Sequence, residues 1–103
     1  MLARERVRRR GVGEQGGREA RGQKGLVVYI GAGDPDLDST RRLALAFDSA
    51  GVDVLELGVP FSDPLADGIV NQLAAQRGLA SGTTPPGVLA TVAAIRRESQ
   101  LPL

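Results

Sequence analysis

From residue 26 onward, short apolar runs alternate with longer amphipathic ones. The run LVVYI, residues 26–30, is apolar and rich in β-branched side chains, and GAGDPD stops it, which predicts a buried strand. Asp36 or Asp38 can cap a following helix whose apolar residues Leu43, Ala46, Phe47 and Ala50 recur at helical spacing, with Gly51 where a C-terminal cap belongs. VDVLEL, residues 52–57, predicts a second strand. Strand, helix and strand within about thirty residues form a βαβ unit, whose strands must run parallel. Residues 69–81 predict a further helix closed by Gly82 and weakened by Gly78, and Thr84 with Pro85 opens another, striped by Val88, Val92 and Ile95. The terminal QLPL reads as the first step of a third strand. Two strands and such a stub cannot cover their own edges or both faces of a sheet.

One position breaks the second strand's apolar pattern. Alternation puts Val52, Val54 and Glu56 on one face and Asp53, Leu55 and Leu57 on the other. With both faces of a parallel sheet covered, a carboxylate there is costly unless it is paired or has a task. Glu56 also stands at the C-terminal end of its strand, where α/β barrels and open sheets bind ligands. Position alone leaves two readings open: a strand-end glutamate reaching solvent or an arginine, and a catalytic acid. Asp63 and Asp67 follow on the loop PFSDPLADG, where Asp before Pro or Gly is also ordinary turn chemistry.

Composition and charge narrow the classes. A chain of 103 residues holds one small domain, and 14 glycines with 42% apolar residues leave a modest core. Without histidine or cysteine, imidazole bases, thiol nucleophiles and disulfides are excluded. No run is long and apolar enough for a membrane span, and the N-terminus lacks the apolar core of a secretory signal, so a cytoplasmic location is expected. Residues 1–25 carry eight Arg or Lys and three Glu, whereas residues 26–103 carry five Arg and nine Asp or Glu. The near-neutral total therefore joins a basic, Gly-rich tail to an acidic body. The tail has too few apolar residues to offset its ordering entropy and is expected to be disordered, or to be an upstream stretch translated from a misassigned start. It has no aromatic residue to stack on bases, and three glutamates suit a transit peptide poorly, so no nucleic-acid or membrane partner is expected.

Known motifs are few. In GAGDPD the third glycine of a dinucleotide fingerprint would fall on Asp36, so that fingerprint fails, and no Walker motif, metal-ligand cluster or nucleophile elbow occurs. The stretch GAGDPDLDSTRRLALAFDSAGVDVLELGVPFSDPLADG, continuing through GTTPPGVLATVAAIRRES, nevertheless resembles the tryptophan synthase alpha chain family, whose signature run is close to L-E-L-G-x-P-F-S-D-P-x-A-D-G. The resemblance covers about residues 26–103.

That resemblance implies a (β/α)8 TIM barrel, of which this chain would hold the β1-α1-β2-α2 portion as a partial domain over residues 26–103, behind the disordered tail of residues 1–25. It implies cleavage of indole-3-glycerol phosphate to indole and glyceraldehyde 3-phosphate, a retro-aldol reaction in tryptophan biosynthesis that needs no cofactor. Pyridoxal phosphate would belong to a beta subunit that joins indole with serine, in an assembly of two alpha and two beta chains. By the same resemblance Glu56 is the catalytic acid-base, a role suited by a pKa raised through partial burial, and Asp67 is the carboxylate that accepts the indole N–H. Pro60 and Asp63 fall on the loop that meets the beta subunit. A family member that releases free indole without a beta subunit fits equally well. From another class, a non-catalytic module could bind the beta subunit or itself, and a broken reading frame would aggregate through its strands.

The departures are specific. Gly31 stands where the family usually has Thr, Ile69 replaces a Pro, Asn71 occupies an apolar position and Gly78 stands where Ala is commoner. The helix that usually precedes the first strand has no counterpart in the tail. A full barrel takes about 250 residues, and the family's phosphate-binding loops follow later strands. Negligible activity is therefore expected of the chain alone.

Overall fold

Two strands, β1 (Val27–Gly31) and β2 (Val54–Gly58), pair in parallel with Tyr29 beside Glu56 and Gly31 beside Gly58. The structure, a computed structural model, describes residues 25–62 and 67–103. The basic tail, apart from Gly25, and Asp63 lie outside the described residues. Around the pair run three helices, α1 (Leu37–Ala50), α2 (Ile69–Ala80) and α3 (Pro85–Glu98), with α1 packed against α3 and α2 against β1.

Both strands sit a residue or two further along than the apolar runs predict. Val52 N–H still bonds the α1 carbonyl of Phe47 at 3.0 Å, so it closes the helix rather than opening the strand. Asp53 is buried and its carboxylate accepts the Leu26 N–H at 2.7 Å, which fixes the entry to both strands at once.

Helix ends follow the predicted chemistry. Of the two capping candidates, Asp36 is the N-cap of α1: its carboxylate accepts the Ser39 N–H at 2.7 Å. That backbone hydrogen bond, with the Ser39 side chain and Arg42 adding to it, holds the Asp36 carboxyl below its ordinary range. Gly51 ends α1 at φ 89°, a left-handed conformation that side chains resist. Thr84 caps α3 by accepting the Gly87 N–H at 3.1 Å, with Pro85 in the first turn.

The core lies on one face of the sheet only. Ala44, Val52, Leu55, Ile95 and Leu101 form its buried cluster, joined by Val28, Ile30, Phe47 and Leu57. The α1 face that turns inward is centred on Thr40 and Ala44. Of the residues expected there only Phe47 packs on the core, while Leu43, Ala46 and Ala50 are exposed. Ala44 brings no bulk between α1 and its neighbours, and Thr40 tolerates burial because its hydroxyl donates to Asp36 O at 3.1 Å and accepts from Gly33 N at 2.9 Å.

The terminal stub behaves as the start of a third strand. Leu101 is fully buried, and Pro102 O accepts the Leu55 N–H at 2.9 Å on the side of β2 away from β1. Ser99 turns the chain into that path: its buried hydroxyl donates to Asp48 Oδ2 at 2.6 Å and accepts the Leu101 N–H at 3.0 Å.

Two glycines with positive φ separate backbone strain from crowding. At Gly51 a Cβ would meet nothing, whereas at Gly33, φ 83°, it would overlap the Thr83 side chain. Gly51→Ala should cost about 1–2 kcal/mol of backbone strain, and Gly33→Ala should cost about 1–3 kcal/mol more because Thr83 must move. Chemical denaturation of the two variants tests this, and equal losses would show that the Gly33–Thr83 contact is absent in solution.

Candidate active site

Opposite the core, the sheet presents Val27, Tyr29 and Gly31 from β1 and Val54, Glu56 and Gly58 from β2. Among the described residues α2 meets this face only at its Gly31 end, where a Cβ on Gly31 would lie 3.7 Å from Ala74, and Tyr29 and Glu56 are exposed. The rest of the face is open, as expected of two strands and a stub. Glu56 lies on the open part of the face and is exposed among the described residues, so the cost of a buried carboxylate does not arise there.

At the C-terminal ends of the strands the face opens into a cleft of about 250 Å³. Tyr29, Gly31 and Gly58 form its floor, Val59, Pro60 and Phe61 one wall, and Asp67, Asn71 and Ala75 the other. The floor depends on a missing side chain. A Cβ on Gly58 would overlap the Tyr29 ring, so the phenol can lie across β2 only because residue 58 is glycine.

The far wall is held from α2. Asp67 just precedes that helix, and its main-chain oxygen accepts a hydrogen bond from Gln72 Nε2 at 2.8 Å. Deeper in, Gly78 comes so close to Ala32 and Pro60 that a Cβ would sit 3.0 Å from Ala32 O and 3.2 Å from the proline ring. The glycine that weakens α2 as a helix is therefore its contact point with the loop after β1 and with Pro60. The loop after β1 is tied to the same helix: Arg77 grips Asp34 through two hydrogen bonds of 2.8 and 3.0 Å, and Ser81 Oγ donates to Gly33 O at 2.9 Å.

Among the residues singled out from the sequence, Asp67 lines the cleft, and Glu56 lies on the same open face, one pair of strand positions below Gly58. Pro60 is buried under α2, as part of the wall, while its neighbour Phe61 is exposed. Tyr29 was not singled out, since strand alternation gives its parity but not which β2 residue lies beside it. Asn71, a polar residue at an otherwise apolar position, was the available sign that this helix face borders a cleft. Chemically, the cleft brings an aromatic ring and apolar residues together with one acidic residue, Asp67, and one amide, Asn71. Among the described residues no cluster of carboxylates is placed to hold a metal ion.

Parallel strands joined by a helix packed on one face, with a cleft at their C-terminal ends, are the opening units of an α/β fold of the barrel or open-sheet kind. A family model of the tryptophan synthase alpha chain matches residues 17–103, beginning within the stretch read as a tail. The tryptophan synthase alpha chain of Geotalea daltonii is 54% identical over 81 residues, covering 79% of this chain and 31% of its own length. That of Citrifermentans bemidjiense is 52% identical over 83 residues, with 81% and 31% covered. Among solved structures, the tryptophan synthase alpha subunit of Legionella pneumophila superimposes with a TM-score of 0.76 at 41% identity, covering 82% of this chain and 32% of that one. The chain belongs to the tryptophan synthase alpha chain family. It spans about a third of the length of the relatives it matches.

Since the chain holds a single tyrosine and no tryptophan, Tyr29 reports on the cleft floor by its own fluorescence. Gly58→Val should expel the ring into solvent and raise its quenching by acrylamide, with far-UV circular dichroism unchanged. Unaltered quenching would mean that Tyr29 does not lie over Gly58.

Proposed function

We propose that this chain supplies the two carboxylates with which a tryptophan synthase alpha subunit cleaves indole-3-glycerol phosphate to indole and glyceraldehyde 3-phosphate. What carries the reading is the placement of Glu56 on the open face at the end of β2, with Asp67 on the rim of an aromatic-floored cleft just beyond it. Cleavage needs a proton delivered to indole C3 and a proton removed from the glycerol hydroxyl as the carbon–carbon bond breaks. Glu56 serves as acid in the first step and as base in the second. Protonation at C3 leaves positive charge at the ring nitrogen, and the Asp67 carboxylate, accepting that N–H, favours this intermediate. Both steps are proton transfers, so no cofactor is assigned to this chain, and pyridoxal phosphate belongs to the beta subunit. The burial that would tune Glu56 and the loops that would bind phosphate are assigned to further barrel strands.

The test needs those strands. With the chain extended by the remainder of the Geotalea daltonii barrel, indole release should appear. Glu56→Gln should then lower it by about 10²–10⁴-fold and Asp67→Asn by about 10²–10³-fold. The chain of 103 residues by itself should release no more indole than its Glu56→Ala variant. A Glu56→Gln rate equal to that of the unsubstituted barrel would remove the assignment.

The partner is assigned to the same end of the molecule. Phe61 is 56% exposed on one side of the segment 63–66, and Ile69 and Val70 are 67% and 73% exposed on the other. Exposed apolar residues this close in sequence mark a docking surface, assigned here to the beta subunit together with Pro60 and Asp63. The site of action is placed in the cytoplasm, and no helix among the described residues is long and apolar enough to cross a membrane. Binding to a beta subunit, measured by sedimentation, should weaken about tenfold or more when Phe61 and Val70 are both changed to Ser. Unchanged binding would move the interface elsewhere.

A further inference from the structure

Helix α2 has an unusual anchorage. It contributes no residue to the apolar core, and its only buried residue is Gly78. Beside the packing of Ala74 toward Gly31 and of Gly78 on Pro60, what holds it is a set of contacts between its C-terminal end and the loop after β1. These are the Asp34–Arg77 ion pair, the Ser81 hydroxyl on Gly33 O, and the approach of Gly78 to the Ala32 carbonyl. The ion pair is the directional member. Its two hydrogen bonds of 2.8 and 3.0 Å match the guanidinium fork to both carboxylate oxygens, and Asp34 is only 20% exposed. An ion pair in open water contributes little, but here it closes a helix that the core does not grip.

The other half of α2 borders the cleft. Asn71 and Ala75 line it, and Gln72 holds the main chain of Asp67 at 2.8 Å. A helix of 12 residues is a rigid rod about 18 Å long, so a tilt at one end is carried to the other. We propose that Asp34 and Arg77 are positioning residues: they clamp the distal end of α2 and thereby set where Asp67 stands over the cleft. Neither residue itself lines the cleft. Both act through the helix, and the assignment of Asp67 as the group that meets the ring N–H rests on the function proposed above.

Two measurements on the chain of 103 residues separate the clamp from that function. Amide hydrogen exchange reads the clamp directly. Arg77→Met should speed exchange of the α2 amides between Gln72 and Ala80 by about tenfold, as expected for loss of a bidentate charged pair, and leave α1 and α3 unchanged. Arg77→Lys, which keeps the charge and loses the fork, should fall between. Unchanged exchange in α2, or equal acceleration in α1 and α3, would overturn the clamp.

Indole binding reads the consequence, with energy transfer from Tyr29 to added indole as the signal. Asp67→Asn and Arg77→Met should each weaken binding by about tenfold, and Arg77→Lys should restore part of the loss. If Asp67→Asn weakens binding and Arg77→Met does not, the positioning role is wrong and the cleft assignment survives. Should Asp67→Asn leave binding at the unsubstituted level, the cleft assignment is lost and hydrogen exchange alone decides the clamp.

Discussion

The parallel pairing of β1 with β2 is the constraint from which the rest follows. Its register sets Tyr29 beside Glu56 and Gly31 beside Gly58, and so sorts the two strands into a face of Val28, Ile30, Leu55 and Leu57 and a face carrying the candidate chemistry. Parallel pairing requires a crossover, and α1 supplies it on the apolar side, where α3 joins it. The apolar cluster then accumulates on that side, leaving the other for a cleft. A slip of one residue would turn Glu56 into the core and Leu55 out of it. The Asp53 carboxylate on Leu26 N–H, at the entry to both strands, opposes such a slip.

Much of this was legible in the sequence, and the exceptions have physical causes. Helix ends were readable because capping is local: Asp36, Gly51, Thr84 and Pro85 do what those residue types do wherever a helix begins or ends. The inward face of α1 was not, because Thr40 and Ala44 are buried by virtue of a hydroxyl bonded to Gly33 and of a small side chain, neither of which hydrophobic spacing registers. Gly78 looked like a flaw in α2, and its purpose appears only when Ala32 and Pro60, distant in sequence, are found against it. The candidate site divides in the same way. Glu56 and Asp67 could be named from the signature they sit in, whereas Tyr29 belongs to the cleft only through a register and a glycine on another strand.

The molecule thus has two regimes of cohesion. The sheet's apolar face, α1, α3 and the terminal stub are joined by apolar burial and by the Ser99 turn that sends Leu101 and Pro102 alongside β2. Helix α2 and the loop after β1 are joined by an ion pair, a hydroxyl and a close glycine contact. Apolar burial resists small displacements collectively, while a few polar contacts open one by one. Such a division suits a barrel enzyme, whose strands must stay fixed while the elements at their C-terminal ends shape the reacting groups.

The most direct measurement is a titration of the isotopically labelled chain with indole, followed by amide chemical shifts. Shifts concentrated at Gly31, Gly58, Phe61 and Asn71, with the groove between α1 and α3 silent, are the expected result. Shifts concentrated on Leu37, Ala90 and Ala94 instead would contradict the placement of the site at the C-terminal ends of the strands.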